Sequence, residues 1–143
     1  MIGIDAEWKP TRQRGESNCV ALVQVASYNE CQLHHIHRFP FFPPNLRAVL
    51  ENPEVLKVGA GIEQDVRKLR HEWGVVVRTY FDLSPLALDL DPFWGARAYR
   101  RGSMIALARL AARYLKRCVD KEQQCSNWEN RELTESQQTC ESI

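Results

Sequence analysis

The spacing of the apolar residues changes near residue 43, and few folds accommodate the change. Before it the chain alternates: Ile2, Ile4 and Ala6 interleave with Gly3, Asp5 and Glu7, the period of a strand. The apolar run from Cys19 to Ser27 reads as a central strand, and Cys31 to His37 as a third. The turn Tyr28-Asn29-Glu30 joins them as a hairpin, so the three strands form an antiparallel meander. After it, Leu46, Val49 and Leu50 lie on a short helix that ends before Pro53. Val55 to Val58 is a short strand, and Ile62, Val66, Leu69 and Trp73 recur at helical spacing over a helix from Ile62 to Glu72. Val75 to Phe81 is β-branched and aromatic, a further strand, and Asp82 to Leu90 starts a short helix. Ser103 is placed to cap a helix over Met104 to Lys116, with Ile105, Ala108, Ala111, Ala112 and Leu115 inward. Thr134 to Gln137 has the shape of a capping box opening a last helix. The order β-β-β-α-β-α-β-α-α implies an α/β domain with a mixed sheet.

Composition closes off other classes. With 143 residues, 44% hydrophobic and 26% charged, the chain is one globular domain and not a disordered segment. Nineteen Lys and Arg against eighteen Asp and Glu give +1, so no global field draws it to nucleic acid or to a membrane surface. No apolar run is long enough for a membrane-spanning helix, and Met1 to Asp5 reads as a strand, not as a signal peptide. Five cysteines without a Cys-x-x-Cys pair argue against a disulfide framework and a structural zinc, and for a reducing, intracellular compartment.

Asp5 and Glu7 carry the most chemical information. Two residues apart on a strand, they share a face, and two adjacent carboxylates on an apolar strand call for a cation. A hard divalent ion suits such oxygens, while a simply solvated face is the bland alternative. Asp65 stands in the first turn of the helix after Gly59-Ala60-Gly61, and the strand before it should bring it toward Asp5 and Glu7. An aspartate there also suits the helix dipole without any further role. The two glycines are not a dinucleotide fingerprint, because Gln64 fills the third glycine's place.

The run Ile2-Gly3-Ile4-Asp5-Ala6-Glu7-Trp8 resembles the first motif of the DEDD 3′–5′ exonucleases. Val58 to Asp65 (VGAGIEQD) resembles their second motif. Ser126-Asn127-Trp128, with Leu133-Thr134 and Gln137, resembles the run into their third motif, in the RNase D and Werner-helicase branch that uses a tyrosine there. The resemblance implies a ribonuclease H-like fold, a five-stranded mixed sheet flanked by helices, over residues 1–143 as a 3′–5′ exonuclease domain. It implies two Mg²⁺ or Mn²⁺ ions held by four carboxylates, of which Asp5, Glu7 and Asp65 supply three as metal ligands and catalytic residues. The substrate it implies is nucleic acid, a DNA 3′ end ahead of RNA, with no membrane partner, any helicase partner on a separate chain, and a nuclear address ahead of a cytoplasmic one. In this branch a tyrosine four residues before the fourth carboxylate orients the attacking water. The alignment puts Cys140 at that tyrosine position, and the fourth carboxylate one residue beyond Ile143. The domain is thus expected to be C-terminally incomplete and its activity impaired. The alternatives are a nucleic-acid-binding pseudonuclease and an interaction module.

Trp8 can stack on a terminal base or fill the core. Arg12 and Arg14, and Arg100 and Arg101 with Arg97, can edge a nucleic-acid groove. The stripe Arg109, Arg113 and Lys116 reads first as a solvated face. His34, His35 and His37 lack an evident third ligand, so a structural role is favoured over a metal.

Overall fold

Ile4 and Ala6 point into the main core from β1 (Ile2–Trp8), and their alternation with Asp5 and Glu7 fixes which face of the sheet that core occupies. The computed structural model describes residues 1–10, 17–95, 104–119, 126–130 and 132–140. β1 pairs antiparallel with β2 (Val20–Ala26), and β2 antiparallel with β3 (Cys31–His34), the expected meander. β4 (Lys57–Gly59) and β5 (Tyr80–Asp82) extend the sheet on the other side of β1 in parallel, giving the order β3-β2-β1-β4-β5. The change of period near residue 43 is therefore the change from hairpin pairing to parallel crossovers through helices α1 (Pro44–Glu51) and α2 (Ile62–Trp73).

Among the described residues, three apolar clusters hold the fold. The largest packs Ile4, Ala6, Val20 and Val23 against Leu46 and Leu50 of α1 and Ile62, Val66 and Leu69 of α2. A second, smaller one joins Ala21 and Leu22 to Trp128, with Leu33 and Leu133 against it. Leu22 is the register partner of Glu7, so this cluster lies on the carboxylate face. The third lies beyond β5, where Ala87 of α3 (Leu83–Leu90) and Trp94 of α4 (Pro92–Gly95) meet Ile105 and Leu110.

The segments that depart from the periodicity do so for identifiable reasons. β3 stops at His34, and Ile36–Arg38 forms a 3₁₀ turn that buries Ile36. Val75 and Val77 are buried, yet only Tyr80–Asp82 is strand. The backbone there bonds to the end of α1 instead of to a ladder: Val76 N–H donates to Glu51 Oε1 (3.1 Å) and Arg78 N–H to the Leu50 carbonyl (3.0 Å). The single helix expected over Met104 to Lys116 starts later, at Leu107, because Ile105 N–H is held by Ser84 Oγ. It is short as well: α5 (Leu107–Leu110) passes into a π-helical turn, Ala111–Leu115, which rotates the residues beyond Ala111, so Ala112 and Leu115 face solvent and not the core. Ser103 lies outside the described residues. The last helix, α6 (Glu135–Cys140), carries the expected capping box in both directions: Thr134 N–H donates to Gln137 Oε1 (2.9 Å) and Gln137 N–H to Thr134 Oγ1 (3.2 Å).

Candidate active site

The site begins with a close approach of two backbones. A Cβ on Gly59, at the end of β4, would stand 2.8 Å from the Ile4 carbonyl oxygen and 3.2 Å from Ile62 Cβ. Only glycine lets β4 lie this near β1 just before the turn. Gly61 then takes φ +80° as the N-cap of α2, a conformation other residues adopt at a cost, and its N–H donates to Asp82 Oδ1 at 3.2 Å. The same Asp82 oxygen accepts from Ser84 N–H at 2.8 Å and caps α3. One carboxylate at the end of β5 thus ties together the starts of α2 and α3.

This arrangement places Asp65, in the first turn of α2 and only 7% exposed, within electrostatic reach of Asp5 and Asp82. Burial first, and then the Asp5 and Asp82 carboxylates, push the Asp65 carboxyl up to about 8. Burial also raises Asp5 above the ordinary carboxylate range, against a smaller downward pull from the Ala6 N–H that its Oδ1 accepts at 3.0 Å. Glu7 follows on the same face of β1, opposite Leu22, where β2 carries one extra residue across the Glu7–Trp8 step. The site therefore gathers carboxyls where burial and like charge oppose their ionisation. Asp5, Glu7 and Asp65 are its oxygen donors, and in kind they fit a hard divalent cation. Among the described residues, no three His, Cys, Asp or Glu side chains converge as a ready-made metal cage.

The remaining sequence-derived candidates fall in different places. Trp8 packs against the main core on the Ile4 face, and its ring lies 4.8 Å beneath the Lys68 ammonium, which also pairs with Glu72 at 2.6 Å. Arg12, Arg14, Arg97, Arg100 and Arg101 lie outside the described residues. Arg113 is held by Asp91 at 3.1 Å and stacks on Phe93. Cys140 is the last residue of α6. His37 bonds backbone carbonyls. In the sequence, Asp82 stands out only as a helix start. Its signal was an aspartate directly before an apolar helical run, which marks a cap and says nothing of the neighbouring carboxylate.

Residues 1–139 match the family described as 3′–5′ exonuclease, and the chain belongs to that family. Its fold is the ribonuclease H-like fold of those nucleases. It is 34% identical over 140 residues to the mouse bifunctional 3′–5′ exonuclease/ATP-dependent helicase WRN, covering 96% of this chain and 9% of that protein. It is 33% identical to mouse exonuclease 3′–5′ domain-containing protein 2, covering 97% of this chain and 21% of the relative. The chain therefore spans about a tenth and a fifth of these two relatives. Among solved structures, the EXD2 exonuclease domain soaked in Mg and dGMP is 30% identical over 95% of this chain and 65% of that one, with a TM-score of 0.55. Escherichia coli RNase D shares the fold at 23% identity, with a TM-score of 0.75 over 97% of this chain and 34% of its own. Among the described residues no helix is long and apolar enough to cross a membrane.

Proposed function

We propose that this chain is a metal-dependent 3′–5′ exonuclease domain that hydrolyses the terminal phosphodiester bond of nucleic acid, with a DNA 3′ end as the first substrate. The observation that carries it is the buried Asp65 beside the half-buried Asp5, two carboxyls brought together with burial and like charge opposing the ionisation of Asp65. A fold retains such a pair at a cost, and a divalent cation would offset it. The EXD2 domain soaked in Mg and dGMP supports the same choice of ion and ligand class.

Asp5, Glu7 and Asp65 are the residues that would hold two Mg²⁺ or Mn²⁺ ions. Bound there, the ions would activate a water and stabilise the leaving 3′ oxygen. The protein's share is placement. The β1 strand sets Asp5 and Glu7 side by side, Gly59 lets α2 start close to them, and Asp82 fixes that start through the Gly61 N–H. Trp128 and Leu22 pack on the same face of the sheet that carries Glu7.

Cys140 stands where this branch carries a water-orienting tyrosine, and a thiol there supplies no phenol to hold the water. Loss of one positioned group costs ~10²–10⁴ in rate, so turnover by this chain is slow. The test is a gel assay on end-labelled recessed DNA and single-stranded RNA with Mg²⁺ or Mn²⁺. The expected result is slow, metal-dependent 3′ shortening that Asp5→Asn or Asp65→Asn abolishes. Salt-sensitive binding with no cleavage would favour the pseudonuclease reading, and neither binding nor cleavage would favour an interaction module.

A further inference from the structure

His37 lies outside the carboxylate cluster, yet it joins the two pieces of chain that border it. Its Nδ1 is 3.1 Å from the carbonyl oxygen of Ala21, and its Nε2 is 3.1 Å from the carbonyl oxygen of Glu129. Ala21 is the extra residue of β2 across from the Glu7–Trp8 step. Glu129 directly follows Trp128, which is 1% exposed and packs on Ala21 and Leu22. Both partners of the ring are acceptors. A neutral imidazole has one N–H and one lone pair, so it can donate to only one carbonyl and turns a lone pair on the other. The imidazolium donates to both.

We propose that His37 is a positioning residue whose protonation fastens the Ser126–Asn130 segment, and with it α6, onto the carboxylate face of the sheet. The adjoining bonds share the task. Arg38 donates to the Asn130 carbonyl at 2.9 Å, and Gln137 of α6 donates to Ser126 Oγ at 2.9 Å. His37 thus stands at one end of a path through Glu129, Asn127 and Gln137 to the helix that carries Cys140. The charged and titratable groups joined to this contact are Arg38 and His35 on its own turn, Glu129 on the covering segment, and Lys9 just past β1, which pairs with Glu129 at 4.0 Å. Burial, followed by the charges of Arg38 and His37, holds His35 below the usual histidine range. The two rings stand 5.7 Å apart.

The fastening should weaken when the ring gives up a proton, because one of its two N–H donors is then lost. The contact stands apart from the exonuclease reading, and only its consequence for catalysis rests on that reading. The experiment is therefore made on packing. Hydrogen exchange of the Trp128 indole N–H and the Asn130 amide is followed by NMR in the ¹⁵N-labelled, metal-free chain from pH 5.5 to 8, corrected for the intrinsic pH dependence of exchange. The Trp73 indole, in the main core, is the internal control. Loss of one charge-assisted hydrogen bond predicts protection at Trp128 falling about tenfold or more across the range while Trp73 holds steady. His37→Arg keeps a permanent donor and should remain protected at pH 8. His37→Ala should be loosened at every pH, with its main-core signals intact. The proposal is overturned if protection at Trp128 does not change with pH in the wild type, or if the pH dependence survives in His37→Ala. A Trp128 response without any nuclease activity would leave the latch standing and count against the exonuclease reading alone.

Discussion

Replacing Asp65 with Asn should make the metal-free protein more stable, and by an amount that grows with pH. In the folded chain the Asp65 carboxyl stands at about 8, against an ordinary value of 3.8. Between those two values the folded state keeps a proton that the unfolded state has released. The stability of the folded state therefore falls as pH rises from 3.8 toward 8, at ~1.36 kcal/mol per unit. At pH 7 the accumulated penalty is roughly 4 kcal/mol at most, and some relaxation of the site should leave ~2–3 kcal/mol. The amide of Asn has the shape of the carboxyl and no charge to suppress, so it removes this penalty. Thermal unfolding followed by circular dichroism in EDTA should give Asp65→Asn a Tm gain of roughly 5–10 °C at pH 7.5. At pH 4 the gain should shrink to ~2 °C or less, because pH 4 is only just above the ordinary value of 3.8 and the accumulated penalty is then only about 0.6 kcal/mol. Millimolar Mg²⁺ should raise the Tm of the wild type and leave that of the variant unchanged, since binding to the folded state alone stabilises it. A gain that is equal at pH 4 and 7.5, or a variant less stable than wild type at pH 7.5 in EDTA, would refute the claim that Asp65 is buried against like charge.

Two further substitutions test how the site is assembled. Gly59→Ala forces a methyl group to within 2.8 Å of the Ile4 carbonyl, so β4 must move away from β1. The expected cost is ~1–3 kcal/mol by urea unfolding, and the pH-dependent gain of Asp65→Asn should shrink in this background because Asp65 then stands farther from Asp5. Gln137→Ala removes the return bond of the capping box together with the bond to Ser126 Oγ. It should destabilise α6 by ~1–2 kcal/mol, seen as faster hydrogen exchange at residues 135–140 with little change in β1.

The candidate site was legible in part. Asp5 and Glu7 show themselves because alternation on a strand is a local property, and the run Val58 to Asp65 carries its glycines in sequence where the backbone needs them. The capping box at Thr134 is equally local and forms as read. Asp82 escaped notice because its importance lies in the Gly61 N–H and the Asp65 charge, both distant in sequence. Val75 to Phe81 misled for the opposite reason. Its residues are apolar and β-branched, but burial can be met without a ladder, and α1 offers their backbone its own acceptors. The Arg109, Arg113 and Lys116 stripe presupposes an unbroken α-helix, and the π-helical turn breaks it.

The sequence by itself determined the order of the elements, the meander followed by crossovers, and the strand face that bears Asp5 and Glu7. Period and chain order are written along one dimension, and so are the motifs that identify the family. Tertiary structure alone decided that Asp65 is buried against Asp5 and Asp82, that Trp128 and Leu22 close over the sheet beside Glu7, and that His37 meets two carbonyls from segments far apart in the chain. Burial and like-charge repulsion depend on distance through space, which no spacing along the chain records.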